Sequence, residues 1–242
     1  MFAIRPFKLL AWLLGLFILW FIPWVFVFYT GVVAYFPYEA DGKSRYLRVT
    51  GPLLQKFYEK AAWTSTNNIP ANCRHALVAA EDMRFYEHRG VDLDSIEKAM
   101  KRNRRRGKIR WGGSTITQQL IKNVFLSRDR SYLRKSREFV GALFLDLIMS
   151  KEAQITWYFN VVEFGPRIYG IHNASQRFFK KKPQNLTLSQ CVALVSILPD
   201  PKRTYKSLIT GAVPNYVQKR QDRTRRMIGD VRINAPKKRS KD

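Results

Sequence analysis

The hydrophobic pattern is uninterrupted near the start of the chain. Residues 9–36 carry no charged side chain, and Leu, Phe, Trp, Val and Ile dominate. A helix of that length, rising about 1.5 Å per residue, exceeds the roughly 30 Å hydrocarbon core of a bilayer. The run outlasts the apolar core of a cleaved leader and no A-x-A site follows, so it predicts an uncleaved transmembrane helix bent at Pro23. Trp12, Trp20, Trp24, Tyr29 and Tyr35 supply aromatic anchors for the interfaces. Arg5 and Lys8 precede the span, and cations there favour a cytoplasmic N-terminus with the rest of the chain outside the cytoplasm.

Beyond the span the pattern becomes amphipathic. Pro37, Gly42, Gly51 and Pro52 punctuate a linker over 37–64, within which Leu53–Trp63 has helical apolar spacing. Pro70 stands just before a helix expected over 71–81, whose apolar run Ala76–Ala80 ends on Glu81-Asp82. Asp92–Met100 reads as a helix capped by Asp92 or Asp94. The cation-crowded stretch Lys101–Trp111 reads as a solvated, mobile loop suited to an anionic membrane. Helices are also expected after Gly112-Gly113, from Ser131 through Met149, over Ile155–Phe164, over Ala174–Phe179 and over Gln190–Leu198. Strand signals are few, so the fold class is mainly α. The expected divisions are a cytoplasmic N-terminus (1–8), the membrane helix (9–36), a linker with a first helical segment (37–64), a globular domain (65–205) and a basic C-terminal region (206–242).

Charge narrows the partner. Lys and Arg total 43 against 18 acids, a net charge of +25 over 242 residues, which calls for a polyanion. With the globular part outside the cytoplasm, nucleic acid is excluded, and lipid headgroups or lipid-linked phosphates remain. Cys73 and Cys191 fit no metal spacing and read as two buried thiols rather than a disulfide. His75, His88 and His172 form no ligand cluster, so no structural metal is expected.

The candidate chemistry begins at Glu81. A carboxylate at the edge of an apolar run, among cations, is placed for proton transfer, and Phe85 and His88 share its face if the segment is helical. Gly112-Gly113 before a Ser/Thr-rich helix start leaves free amides able to face an anion. Ser114, Gln118 and Lys122 lie one turn apart on that helix. Glu138 follows Arg134 by four residues, the spacing of a helical ion pair.

These segments resemble the peptidoglycan glycosyltransferases of family 51, in particular the monofunctional biosynthetic transglycosylases. The likeness covers about residues 65–205. It is carried by Glu81-Asp82-x-x-Phe85-x-x-His88-x-Gly90-x-Asp92, then Gly113-Ser114-Thr115-Ile116-Thr117-Gln118-Gln119-Leu120-x-Lys122-Asn123, then Arg134-Lys135-x-x-Glu138. Ser150-Lys151, Tyr158-Phe159-Asn160, Phe164-Gly165 and Tyr169-Gly170 continue it in order. The resemblance implies a lysozyme-like glycosyltransferase domain behind a single N-terminal transmembrane helix, in the bacterial cytoplasmic (inner) membrane with the catalytic domain periplasmic. It implies that lipid II is polymerised into glycan strands, with polyprenyl pyrophosphate leaving.

By the same resemblance Glu81 is the base on the acceptor 4-hydroxyl and Glu138 the second catalytic glutamate. Lys122 and Arg130 lie near the pyrophosphate, with Ser114, Gln118 and Gln119 as polar contacts. Asp82 and Phe85 shape the loop that holds Glu81, while Lys98, Arg134 and Arg137 complete the substrate-binding set. Some members use a divalent ion at the pyrophosphate, but no dedicated site for one is visible. The implied partners are lipid II, the nascent strand, the membrane and other cell-wall synthesis proteins. Lys98 departs from a common arginine, Asp146 from a glutamate, and Phe159 from a leucine. Phe178-Phe179-Lys180-Lys181 and His172-Asn173 depart from the common pattern as well. Two other readings compete: a lytic enzyme of the same fold class, and a non-catalytic protein binding anionic lipid. Ser95-Ile96-Glu97-Lys98 matches S-x-x-K, but no K-T-G follows and too little chain remains for a transpeptidase domain.

Overall fold

A computed structural model describes residues 10–17, 21, 38–40, 43–45, 63–107, 112–126 and 131–234. The chain forms two compact units, Met1–Gln55 and Lys56–Asp242. In the first, residues 10–17 are helical and Leu10, Trp12, Leu13, Leu14, Leu16 and Phe17 are exposed. Most of the expected span 9–36 lies outside the described residues, and among those described no helix is long and apolar enough to cross a membrane. Strands β1 (Tyr38–Ala40) and β2 (Lys43–Arg45) pair antiparallel, with Glu39 opposite Ser44.

The second unit is helical. Its main helices are α1 (Ala71–Glu81), α2 (Leu93–Arg106), α3 (Ile116–Phe125), α4 (Tyr132–Ile148) and α5 (Lys151–Val161). A hairpin of β3 (Glu163–Gly165) and β4 (Ile168–Tyr169) leads to α6 (Gly170–Phe179) and α7 (Leu188–Ser196). Two single-turn helices, α8 (Pro201–Thr204) and α9 (Ser207–Thr210), precede α10 (Asn215–Asn234).

The helix starts follow from side-chain capping of otherwise unpaired amides. Asp92 caps α2 through Ser95, Ser131 caps α4 through Arg134, and Ser150 caps α5 through Ala153. Thr115 with Gln118 and Thr187 with Gln190 form reciprocal capping boxes on α3 and α7. The cap of α3 is thus one residue later than Ser114, which stays available at the helix mouth.

The core is built where apolar stripes meet. Helix α5 is buried along most of its length, including Ile155, Trp157, Tyr158 and Phe159. Asn160 ties the chain ahead of α1 to α5: its amide donates to the Thr64 carbonyl at 2.9 Å and its oxygen accepts from the Thr64 N–H at 2.8 Å. Helix α1 buries Cys73, Ala76, Leu77, Val78 and Ala79 against α7 and α10. Helix α10 contributes Val217, Gln221, Thr224, Ile228 and Val231, all buried at helical spacing, while Lys219, Arg223, Arg225 and Arg226 face outward.

Two expectations need correction. Lys101–Arg106 is not a loop but the last turns of α2, which ends at Gly107 in the left-handed region (φ 60°). Cations in the final turn complement the helix dipole, so the charge that read as loop there supports helix. Cys73 and Cys191 are not free thiols but a disulfide joining α1 to α7, across 118 residues of sequence. The two helices pack side by side, a proximity set by tertiary structure rather than by any sequence spacing.

Candidate active site

Glu81 is the final residue of α1, and the chain turns sharply after it. Asp82 leaves the helix with φ −160° and ψ 78°, pointing its buried carboxylate the other way. There Oδ2 accepts from the Ile116 N–H at 3.0 Å, and both oxygens face His88 Nε2 at 3.1 and 3.0 Å. Asp82 therefore fastens the end of α1 to the start of α3. The turn between is braced from every side. Phe85 is fully buried with the Lys151 ammonium 4.5 Å from its ring centre. Lys151 Nζ also donates to the His88 carbonyl at 2.9 Å and pairs with Asp146 at 2.6 Å. Thr115 Oγ1 donates to the Gly90 carbonyl at 2.6 Å. Gly90 has φ +75°, and a Cβ there would lie 2.2 Å from the Ala142 carbonyl oxygen, so α4 passes directly over the turn.

With Asp82 turned inward, Glu81 faces α3 and α10. Its Oε2 accepts from Gln119 Nε2 at 2.8 Å, and its Oε1 accepts from Arg220 Nη2 of α10 at 2.5 Å. Gln119 Oε1 in turn accepts from the Tyr158 hydroxyl at 2.8 Å. A carboxylate only accepts, which fixes the orientation of the Gln119 amide. Burial pushes the Tyr158 phenol well above its ordinary pKa and the Glu81 charge adds to this, so Tyr158 remains a donor.

One turn along α3 stands Lys122, which reaches solvent. Partial burial of its ammonium and the charge of Arg134 lower its pKa, and Glu81 partly offsets them. On α4, Glu138 is buried and carries two cations: Arg134 on Oε1 and Lys135 on Oε2, the latter at 2.7 Å. Lys135 Nζ also donates to Ser114 Oγ at 2.8 Å. Partial burial and the charges of Lys122 and Arg134 lower the Lys135 pKa. Ser114 and Lys135 stand on a cleft of about 360 Å³ whose other walls include Leu93, Ile96, Met100 and Phe139. The close pass of Gly113 over Ile96, where a Cβ would sit 2.8 Å from Ile96 Cα, sets the width of this cleft. Beside it, Leu133, Val140, Leu143 and Leu147 repeat at helical spacing on α4 and are all exposed, as is Met100 on α2.

The structure joins Glu81 to Gln119 and sets the Lys122 ammonium within reach of the Glu81 charge; it links Ser114, Lys135, Glu138 and Arg134 in one chain of contacts, of which Ser114 and Lys135 line the cleft. Asp82 and Phe85 lie beneath the turn that carries Glu81. Gln118 is buried, its carbonyl oxygen accepting from the Thr115 N–H at 3.0 Å, so it holds the helix start instead of offering a free polar contact. Gln119 is committed to Glu81 and Tyr158. Lys98 lies on the exposed face of α2, and Arg137 is half-buried on α4. Arg130 lies outside the described residues. Sequence reasoning missed Arg220, although the stripe Val217, Gln221, Thr224, Ile228 on one face of the C-terminal stretch places it on the inward side.

Chemically, the arrangement can take a proton at Glu81 while an anion is received at Lys122, Arg134 and Lys135. That combination is compatible with group transfer on an anionic substrate. The chain belongs to the transglycosylase family, whose model matches residues 50–228. It is 44% identical over 140 residues to a protein of Thiobacillus denitrificans named biosynthetic peptidoglycan transglycosylase, a match covering 58% of this chain and 60% of that one. Proteins of the same name from Janthinobacterium sp. (strain Marseille) and Herminiimonas arsenicoxydans are 41% and 40% identical over 165 and 174 residues. Those matches cover 66% and 72% of this chain and 71% and 74% of theirs. The chain thus aligns with less than two thirds of the Thiobacillus protein's length and somewhat more of the other two.

Proposed function

We propose that this protein is a peptidoglycan glycosyltransferase that polymerises lipid II into glycan strands at the outer face of the bacterial cytoplasmic membrane. The observation that carries the reading is Glu81, presented at the end of α1 with its charge acting on Lys122. In the reaction the acceptor 4-hydroxyl oxygen attacks the anomeric carbon of the donor sugar, the bond from that carbon to pyrophosphate breaks, and the hydroxyl proton passes to Glu81. A hydroxyl is a weak nucleophile until a base takes its proton as attack proceeds. The departing polyprenyl pyrophosphate gathers negative charge, which Lys122 and Lys135 are placed to meet, with Ser114 as a polar contact. Glu138 acts by holding Arg134 and Lys135 at the donor side.

The catalytic domain in this reading takes in α10, because that helix supplies Arg220. The exposed apolar row of α4 rests in the lipid from which the polyprenyl chain is drawn, and residues 9–36 anchor the chain there. Among the described residues the donor-side groups are cationic, and the one carboxylate there, Glu138, is taken by two of them.

The test is polymerisation of labelled lipid II by purified full-length Glu81→Gln. Loss of the base is expected to cut the rate by roughly 100- to 10,000-fold with the fold intact. Wild-type turnover in this variant would overturn the assignment.

A further inference from the structure

We infer that Arg220 is a positioning residue for Glu81, one jaw of a clamp whose other jaw is Gln119 backed by Tyr158. The inference rests on Glu81 being the base. Arg220 Nη2 reaches Glu81 Oε1 at 2.5 Å and the Ala80 carbonyl at 3.3 Å, while Gln119 Nε2 holds Oε2 at 2.8 Å. Each carboxylate oxygen thus has one fixed donor and keeps a lone pair for an incoming hydroxyl. With both oxygens gripped, the side chain has one orientation.

The same contact is a poor structural tie. The Arg220 side chain is 26% exposed and that of Glu81 11%, so both charges lose much of their hydration. Arg220 Nε is buried with no hydrogen-bond partner among the described residues. Ion pairs desolvated in this way are often replaceable, both partners together, by apolar side chains at no loss of stability, whereas removing one partner strands the other charge. Helix α10 already packs on α1 through Val217, Gln221, Thr224, Ile228 and Val231. A methionine at 220 would keep the apolar packing but leave the Glu81 carboxylate without its cation, so Tm and kcat are read separately. The arginine also comes from the far end of the domain, so the groove is complete only once α10 has docked.

The experiment uses the full chain in detergent and compares Arg220→Met, Arg220→Lys, Tyr158→Phe and Glu81→Gln for kcat, KM for lipid II and Tm. A carboxylate misplaced by about 1 Å costs on the order of 100-fold. Arg220→Met is therefore expected to lose roughly that factor in kcat with KM within about threefold of wild type. Arg220→Lys, which keeps the charge without the planar fork, should recover part of the loss. Tyr158→Phe frees Gln119 to rotate and should also lower kcat at constant KM. A merely structural tie would appear as a lower Tm with wild-type kcat per folded molecule, and that result overturns the inference. So does a loss confined to KM. If Arg220→Met fails to fold by circular dichroism, Tyr158→Phe decides, and wild-type kcat there overturns it. Activity in Glu81→Gln would remove the underlying reading, whereas an inactive Glu81→Gln beside a fully active Arg220→Met would remove this inference alone.

Discussion

The Cys73–Cys191 bridge lends itself to a quantitative test. It joins α1, two turns before Glu81, to α7, and its ends are 118 residues apart in sequence with a Cα separation of 4.7 Å. Closing a loop of that length removes about 5 kcal/mol of unfolded-state entropy near room temperature, and removal of a native bridge typically costs about 2–5 kcal/mol. The packing of α1 against α7 and α10 does not depend on the bridge, because Leu77, Val78, Val192, Val195 and Val217 are buried at these helices regardless. The reduced chain should therefore stay folded but weaker. With an m-value of roughly 2 kcal/mol per M of urea, a loss of about 3 kcal/mol moves the unfolding midpoint down by about 1.5 M. The measurement is urea unfolding of the full chain in mild detergent, with and without reductant, followed by Trp fluorescence. The Cys73→Ala/Cys191→Ala double variant, insensitive to reductant, serves as a control. In concentrated urea without reductant, neither cysteine should react with an alkylating probe. Labelling of both, or a midpoint that reductant does not move, would refute the reasoning. A bridge of this kind also persists mainly in oxidising compartments, in accord with the proposed extracytoplasmic domain.

Other outcomes follow from single side chains. Glu138→Gln leaves Arg134 and Lys135 converging without their shared carboxylate. Thermal unfolding should show a loss of about 2–4 kcal/mol, below the full value for a buried pair because Lys135 is partly solvated. Lipid II turnover should fall with it, and an unchanged Tm would contradict the geometry. Asp92 adds an acid-dependent contribution to stability. Burial raises its pKa, but the Ser95 hydrogen bonds and the charges of Arg84 and His88 outweigh this and hold the carboxylate below its ordinary range. A depressed carboxylate pKa means that the stability is complete above the unfolded-state value and is lost as pH falls through the folded-state value. Acid titration of the fold should therefore be less steep in that window for Asp92→Asn than for wild type. Parallel curves would show that Asp92 does not contribute.

Much of the helical frame is legible in the sequence because local chemistry sets it. Pro70 ahead of an apolar run ending on Glu81 marks α1 over 71–81, and the helix expected from Ser131 through Met149 is α4 within a residue at each end. The course of Lys101–Arg106 was not legible, since density of charge was weighed without its place at a helix C-terminus before Gly107. Gln118 and Gln119 illustrate a second limit. Adjacent identical side chains read as a pair of polar contacts, yet successive helical positions point about 100° apart. One closes a capping box in the interior, while the other grips Glu81. The disulfide and Arg220 were beyond local reasoning, because both depend on α1, α7 and α10 packing together from distant parts of the chain.

The distribution of acids in so basic a chain explains how the site keeps a surplus of positive charge without flying apart. Each carboxylate around it has fixed partners: Glu81 has Arg220, Asp82 has His88 and the Ile116 amide, Asp146 has Lys151, and Glu138 has Arg134 with Lys135. Among the described residues Lys122 has no ion pair or hydrogen bond, and its lowered pKa reflects the Arg134 charge as well as partial burial. One buried carboxylate, Glu138, thus permits three cations to converge, and their sum still exceeds its charge. In the proposed reaction an incoming diphosphate would relieve the remaining repulsion, and most so as its leaving oxygen becomes anionic. Because that relief grows along the reaction coordinate, it lowers the barrier more than it tightens ground-state binding.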